Sequence, residues 1–184
     1  LSILMPLLRE GHVTYQGETL ACDATLFQPP TIQVPVVVAA LGPQALGVAG
    51  RLADGTTLAW VGPKTIREHI APRIRAAAGA AERSEPRIIA TLPVCVTAAE
   101  DVVRARIGES LAMYGQLPSY RAMFDREGVA GPADLAIVGS RQEVTDRIEA
   151  MREAGVTDFA ASEFALNADD RAATRALLKS LLAA

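Results

Sequence analysis

Residues 34–43 read Val34-Pro-Val-Val-Val-Ala-Ala-Leu-Gly-Pro43. An unbroken apolar run rich in β-branched residues, closed by glycine and proline, predicts a strand buried on both faces, as in a parallel sheet, that turns directly into a helix. Pro35 falls at the start of the strand, where a missing donor is tolerated. Pro43 is pre-organised for a first helical position, and Ala45, Leu46, Ala49 and Leu52 follow at helical spacing before Asp54-Gly55. The pattern then recurs. Thr56-Thr-Leu-Ala-Trp-Val61 reads as a second strand, and Gly62-Pro63 opens a helix with Ile66, Ile70 and Ile74 on one stripe, in which Pro72 predicts a kink. From Gly42 to Gly62 the strand, Gly-Pro, helix unit repeats at a spacing of 20 residues.

Downstream, Arg87–Val96 predicts a third strand, and Thr97-Ala-Ala-Glu100 has the form of a capping box opening a helix toward Tyr114. Pro118 separates this from a helix over about 119–126, and 128–139 reads as loop with a short apolar stretch. Ser140-Arg-Gln-Glu143 is a second capping box, opening a helix that turns Val144, Ile148 and Met151 inward and ends at Gly155. Residues 156–164 form the fourth strand and 169–182 the closing helix. Upstream, residues 1–9 look like the middle of an amphipathic helix, and two β-prone runs flanking Gln16-Gly17 predict a hairpin within 11–22, followed by a loop carrying Pro29 and Pro30.

Strands alternating with helices imply right-handed crossovers and a parallel sheet, so the fold class is α/β. Four such strands do not make an eight-stranded barrel, which takes about 250 residues. If the parent is a barrel, this chain is its second half, and the start at Leu1 without methionine is read as that of a piece of a longer chain. The expected organisation is one domain over 1–184, with helix end, hairpin and loop in 1–33 and four strand-helix units in 34–184.

The 184 residues are 50% apolar, 21% charged and only 4% aromatic, which predicts an aliphatic, alanine-rich core. A net charge of -3, from 18 basic and 21 acidic residues spread along the chain, gives no footprint for nucleic acid or an anionic membrane. The longest apolar run is far short of the ~20 residues that a spanning helix needs, and the chain reads as cytoplasmic. Cys22 and Cys95 lie far apart and form no metal-ligand spacing.

In a parallel α/β fold the ligand sits at the carboxyl ends of the strands. The candidate cofactor residues there are Leu41, Gly42, Pro43, Gln44, Ala45, Trp60, Gly62 and Pro63, with Lys64 and Glu163 as candidate contacts to substrate or an anion. The amides of Gln44 and Ala45 at a helix start attract an anion, and a phosphate-bearing cofactor lying across both Gly-Pro turns is one reading. The other is that Gly-Pro only makes tight turns. Trp60 suits stacking on a flat ring or plain packing; Glu163 suits acid/base work, a substrate contact or a solvated carboxylate. His12 and His69 read as surface residues. No nucleophile elbow, P-loop or dinucleotide fingerprint is present, which points to a cofactor that performs the reaction itself.

The succession Val36-Val-Val-Ala-Ala-Leu-Gly-Pro43, then Leu46 to Ala49, then Leu52-Ala-Asp-Gly-Thr56, resembles the middle of the luciferase-like monooxygenase superfamily. Gly128-Val-Ala-Gly-Pro-Ala-Asp134, Ile137-Val-Gly-Ser140 and Ala154-Gly-Val-Thr-Asp-Phe159 resemble its last two strand-helix units. The resemblance is closest to the actinobacterial branch that uses the 8-hydroxy-5-deazaflavin coenzyme F-420, related to methylenetetrahydromethanopterin reductase. It implies a (β/α)8 TIM barrel in the parent and an oxidoreductase or monooxygenase transferring a hydride between F-420, or alternatively FMN, and a small organic substrate. It also implies that Gly42, Pro43 and Gln44 face the cofactor's phosphate tail and that Lys64 meets an anionic group. The resemblance assigns no catalytic residue in this chain. The first half of the barrel is absent, so a non-catalytic flavin-binding or assembly module stays open as the alternative. The open strand edges, and an inner face whose Val36, Val38, Leu58 and Val94 would otherwise face water, imply a homo-oligomer or pairing with the missing half barrel.

Overall fold

The decisive strand is shorter and more open than its apolar sequence predicts. In the computed structural model, which describes residues 1–182, only Val37–Ala39 of the 34–41 run forms strand β3, and it pairs on one edge alone. Val37 and Val38 are half-buried and Ala39 is exposed. The expectation of burial on both faces is therefore corrected: among the described residues no strand pairs with the outer edge of β3, and Ala39 stays exposed on the inner side.

From β3 the chain enters helix α2 (Pro43–Leu52), with Pro43 at its first position and Leu46 and Ala49 fully buried. Strand β4 (Gly55–Ala59) ends where Trp60 takes a left-handed backbone, φ 59°, which a bulky residue adopts only under constraint. A short helix α3 (Pro63–Thr65) runs through a π-helical turn (Ile66–Ile70) into α4 (Ala71–Ala80). Pro72 thus brings a widened turn rather than a break, with the Ala71 amide reaching back five residues to the Ile66 carbonyl. Ile66, Ile70 and Ile74 all lie in the core.

Strand β5 (Arg87–Val96) has the predicted bounds. The first capping box does not form: Thr97 Oγ1 accepts from the Ala99 amide and donates to Asp170 Oδ2, and α5 (Glu100–Ser110) starts after an uncapped Ala99. A 3-10 turn (Ala112–Gln116) leads to α6 (Pro118–Glu127). The stretch read as loop contains α7 (Pro132–Leu135) and the three-residue strand β6 (Ile137–Gly139). Ser140 and Glu143 do form the second capping box at the start of α8 (Arg141–Glu153), followed by β7 (Asp158–Glu163) and α9 (Ala168–Leu181). Upstream, α1 (Leu4–Glu10) precedes an antiparallel hairpin of β1 (His12–Gln16) and β2 (Ala21–Thr25). Its turn lies at 17–20, later than the sequence placed it, because Gln16 pairs with Ala21.

Strands β3, β4, β5 and β7 form a parallel sheet. Ile89, Ala90 and Thr91 pair with both β4 and β7, so those strands flank β5 on opposite sides. Val94 pairs with both β6 and β7, which sets β6 beyond β4 on β4's side, at the carboxyl end. The helices cover one face. Leu58, Ile88, Ala90, Leu92 and Val94 point into that layer and are at most 2% exposed. The opposite face carries Ala39, Thr57, Ala59, Thr91, Ala160 and Ser162, all half-buried or exposed. This reverses the expectation that Val36, Val38, Leu58 and Val94 line an inner face open to water. Burying a large aliphatic side chain contributes about 1.5–3 kcal/mol, so the bulky parity goes to the helices and the small one to the open side. No helix among the described residues is long and apolar enough to cross a membrane.

Candidate functional site

At the carboxyl ends of β3, β4 and β5 lies an open cleft of about 440 Å³. Its walls are the small inner-face residues Ala39, Thr57, Ala59 and Thr91, the Leu41-Gly42 turn, and Ser119 and Tyr120 of α6. It contains no carboxylate, imidazole or thiol. Its polar groups are hydroxyls and backbone amides, which suit binding and orientation better than proton transfer.

The two Gly-Pro turns at this end differ. At the first, Gly42 caps α2 with φ -83°, no side chain caps the helix, and a Cβ added at Gly42 would meet nothing within 4 Å. Leu46 is the first residue to close a helical bond back to Gly42. The amides of Gly42, Gln44 and Ala45 therefore have no protein acceptor among the described residues. At the second, the carboxylate of Glu127, last residue of α6, accepts from the Lys64 amide at 3.1 Å and the Thr65 amide at 2.7 Å. Gly62 admits it, since a Cβ there would lie 2.3 Å from Glu127 Cδ. An internal anion already occupies that helix start.

The remaining sequence candidates scatter. Pro43 and Gln44 are exposed, Leu41 and Ala45 half-buried. Trp60 is 8% exposed and packs on Tyr114, ring centroids 5.2 Å apart; Tyr114 meets Tyr120 edge-on at 5.1 Å. Trp60 is part of the main core cluster, and Tyr120 is the aromatic ring in the cleft lining. Lys64 is exposed and is not part of the cleft lining. Glu163 turns away from the inner face toward α9, bonded to Arg175 at 2.6 Å and paired with Arg171 at 3.2 Å. His12 is exposed, as expected. Cys95 is buried, and burial pushes its thiol pKa up, which makes it inert.

His69 is not a surface residue. It is 3% exposed, with Nε2 2.9 Å from the Leu41 carbonyl and Nδ1 without a partner. Burial holds its pKa below the ordinary 6.5 against the opposing bond to Leu41, aided by Arg126 and Arg73. Its neighbours Arg67 and Glu68 are charged and exposed, which is why it reads as a surface residue, whereas within the π-turn His69 itself is buried. Glu127 was likewise hidden, because its 62-residue separation from Thr65 leaves no local signal. Tyr120 and Ser119 carry no motif at all.

This chain belongs to the luciferase-like monooxygenase family, whose model matches residues 1–158. Among its relatives is an F420-dependent glucose-6-phosphate dehydrogenase of Kineococcus radiotolerans, 32% identical over 105 residues, 56% of this chain and 31% of that protein. The fold matches the coenzyme F420 dependent tetrahydromethanopterin reductase from Methanopyrus kandleri with a TM-score of 0.75 at 22% identity, over 96% of this chain and 59% of that one. It also matches the oxygenating constituent of 3,6-diketocamphane monooxygenase from Pseudomonas putida, solved in complex with FMN, with a TM-score of 0.61 at 15% identity over 88% and 54% of the two chains. The chain thus spans little more than half the length of these solved relatives, all of them enzymes, and under a third of the dehydrogenase.

Proposed function

We propose that this chain supplies the carboxyl-terminal half of a (β/α)8 oxidoreductase that uses coenzyme F-420, or alternatively FMN, to transfer a hydride to or from a small organic substrate. The observation that carries the reading is the free Gly42, Gln44 and Ala45 amides beside the cleft. Those amides fit an anionic tail, and the lack of a side chain at Gly42 lets the tail approach the backbone. The bound coenzyme would supply the hydride chemistry. The chain's own residues bind and orient: the turn holds the anion, the hydroxyl-lined cleft receives a polar ring, and Lys64 meets an anionic substrate group. The open edges of β3 and β7 and the uncovered inner face fit the remaining strands of a barrel or a second copy of the chain.

Fluorescence titration of the chain with F-420 and with FMN tests this reading. Saturable binding of either, weakened in Gly42→Val while the melting temperature holds, is expected. Equal affinities in the two proteins, or no binding of either coenzyme, overturn it. The absence of an acid or base in the cleft favours a second reading, a module that binds flavin without turnover; bound coenzyme that no alcohol or sugar phosphate reduces would establish that one instead.

A further inference from the structure

The Leu41-Gly42 peptide is held from behind. A carbonyl oxygen only accepts, so the 2.9 Å contact means that Nε2 of His69 carries the proton and donates to Leu41. Nδ1 is then a bare lone pair, buried with no donor in reach. A buried polar atom without a partner costs about 1–3 kcal/mol, so the ring is kept there by what its other nitrogen does. The imidazole lies within the π-turn at 66–70, and such turns recur at functional sites.

In a trans peptide the C=O and the following N–H point in opposite directions, and there are no cis bonds among the described residues. With the Leu41 carbonyl aimed at the buried imidazole, the Gly42 N–H is directed the other way, on the side where Leu41 and Gly42 border the cleft. Resting on the anion-site reading of this turn, we propose that His69 is a positioning residue: its Nε2–H bond to Leu41 fixes the peptide plane so that the Gly42 amide joins those of Gln44 and Ala45 around one phosphoryl or carboxylate group. His69 touches no ligand. Without it the peptide is free to rotate, and the site keeps only the two helix amides.

Amide NMR of the full chain titrated with inorganic phosphate tests the role. In the wild type, the Gly42, Gln44 and Ala45 resonances should shift together. In His69→Leu, Gly42 should stop responding and affinity should fall about fivefold to tenfold, what one lost hydrogen bond gives. His69→Gln, whose Nε2 can still donate, should recover affinity to within about threefold of the wild type. A His69→Leu chain that binds like wild type with Gly42 still shifting overturns the role. A wild type in which Gln44 and Ala45 shift but Gly42 does not overturns it while leaving the anion site standing. If no amide of the turn shifts, both fail. Should His69→Leu not fold, the wild-type ring decides. A phosphate accepting from Gly42 polarises the same peptide and strengthens its carbonyl as an acceptor, so the His69 Nε2 proton should move downfield on saturation. An unmoved proton overturns the role.

Discussion

Two strand, Gly-Pro, helix units stand 20 residues apart in this chain with the same Gly-Pro turn, and they end in different chemistry. At Gly42 the helix start is open to the cleft. At Gly62 it is closed by Glu127, a carboxylate from another helix. The glycines serve opposite purposes: one leaves room for a molecule from outside, the other leaves room for the protein's own side chain. A Gly-Pro turn therefore specifies a helix start with free amides, and tertiary structure decides who takes them.

The sharpest way to break the comparison is to add the same methyl group to both turns. Gly62→Ala puts a Cβ 2.3 Å from Glu127 Cδ, which must withdraw from two amides, and should cost about 2 kcal/mol. Gly42→Ala meets no atom and keeps an allowed φ of -83°, so its effect should stay within about 0.5 kcal/mol. Urea denaturation of the two variants gives the difference; equal losses would mean that the Glu127 cap contributes nothing.

Removing the internal anion itself comes next. Glu127→Ala should destabilise by about 1–2 kcal/mol, in the range of a lost cap. The Lys64 and Thr65 amides should then exchange with solvent at the rate of the unpartnered amides of Gln44 and Ala45. Hydrogen exchange that leaves Lys64 and Thr65 protected would show that something other than Glu127 shields them.

What the sequence disclosed follows the same division between local and distant. The helix starts at Pro43 and Pro63, the cap at Ser140 and the whole of β5 are governed by near neighbours and periodicity, and all were legible. So were the α/β class and the family resemblance. The Thr97 box failed because Asp170, 73 residues away, binds the hydroxyl. The face parity failed because alternation shows that two faces differ, without showing which one the helices cover. At the site, the Gly42 turn could be read. Glu127 could not, because its partners are distant, and His69 could not, because its charged neighbours Arg67 and Glu68 mark that stretch as solvent-facing while the ring is buried.

His69 also separates the two turns by pH, since it sits behind the first and not the second. Its pKa is lowered in the folded chain, chiefly by burial, so the unfolded state binds more protons as the pH falls through about 6.5. The stability tied to the neutral ring is fully present above that value and lost below it. Thermal melts from pH 7.5 to 5.5 should show a decline no steeper than about 1.4 kcal/mol per pH unit, the limit for one proton, and His69→Gln should flatten it. A variant that keeps the wild-type slope would assign the dependence to other groups.

The smallest effect belongs to the residue that looked most like a catalytic acid. Glu163 ends β7 at the same edge of the sheet as the two turns, yet its carboxylate lies against Arg171 and Arg175 on α9. Both arginines are at least half exposed, so solvent screens the pairs and each is worth little. Glu163→Gln should cost less than about 1 kcal/mol, and the difference from wild type should shrink between about 0.02 and 0.5 M salt, as screening requires. Affinity at the Gly42 turn should not change, because the carboxylate faces the opposite side of the sheet from the cleft. A variant with unaltered melting but weakened coenzyme binding would reverse that assignment and bring Glu163 into the site.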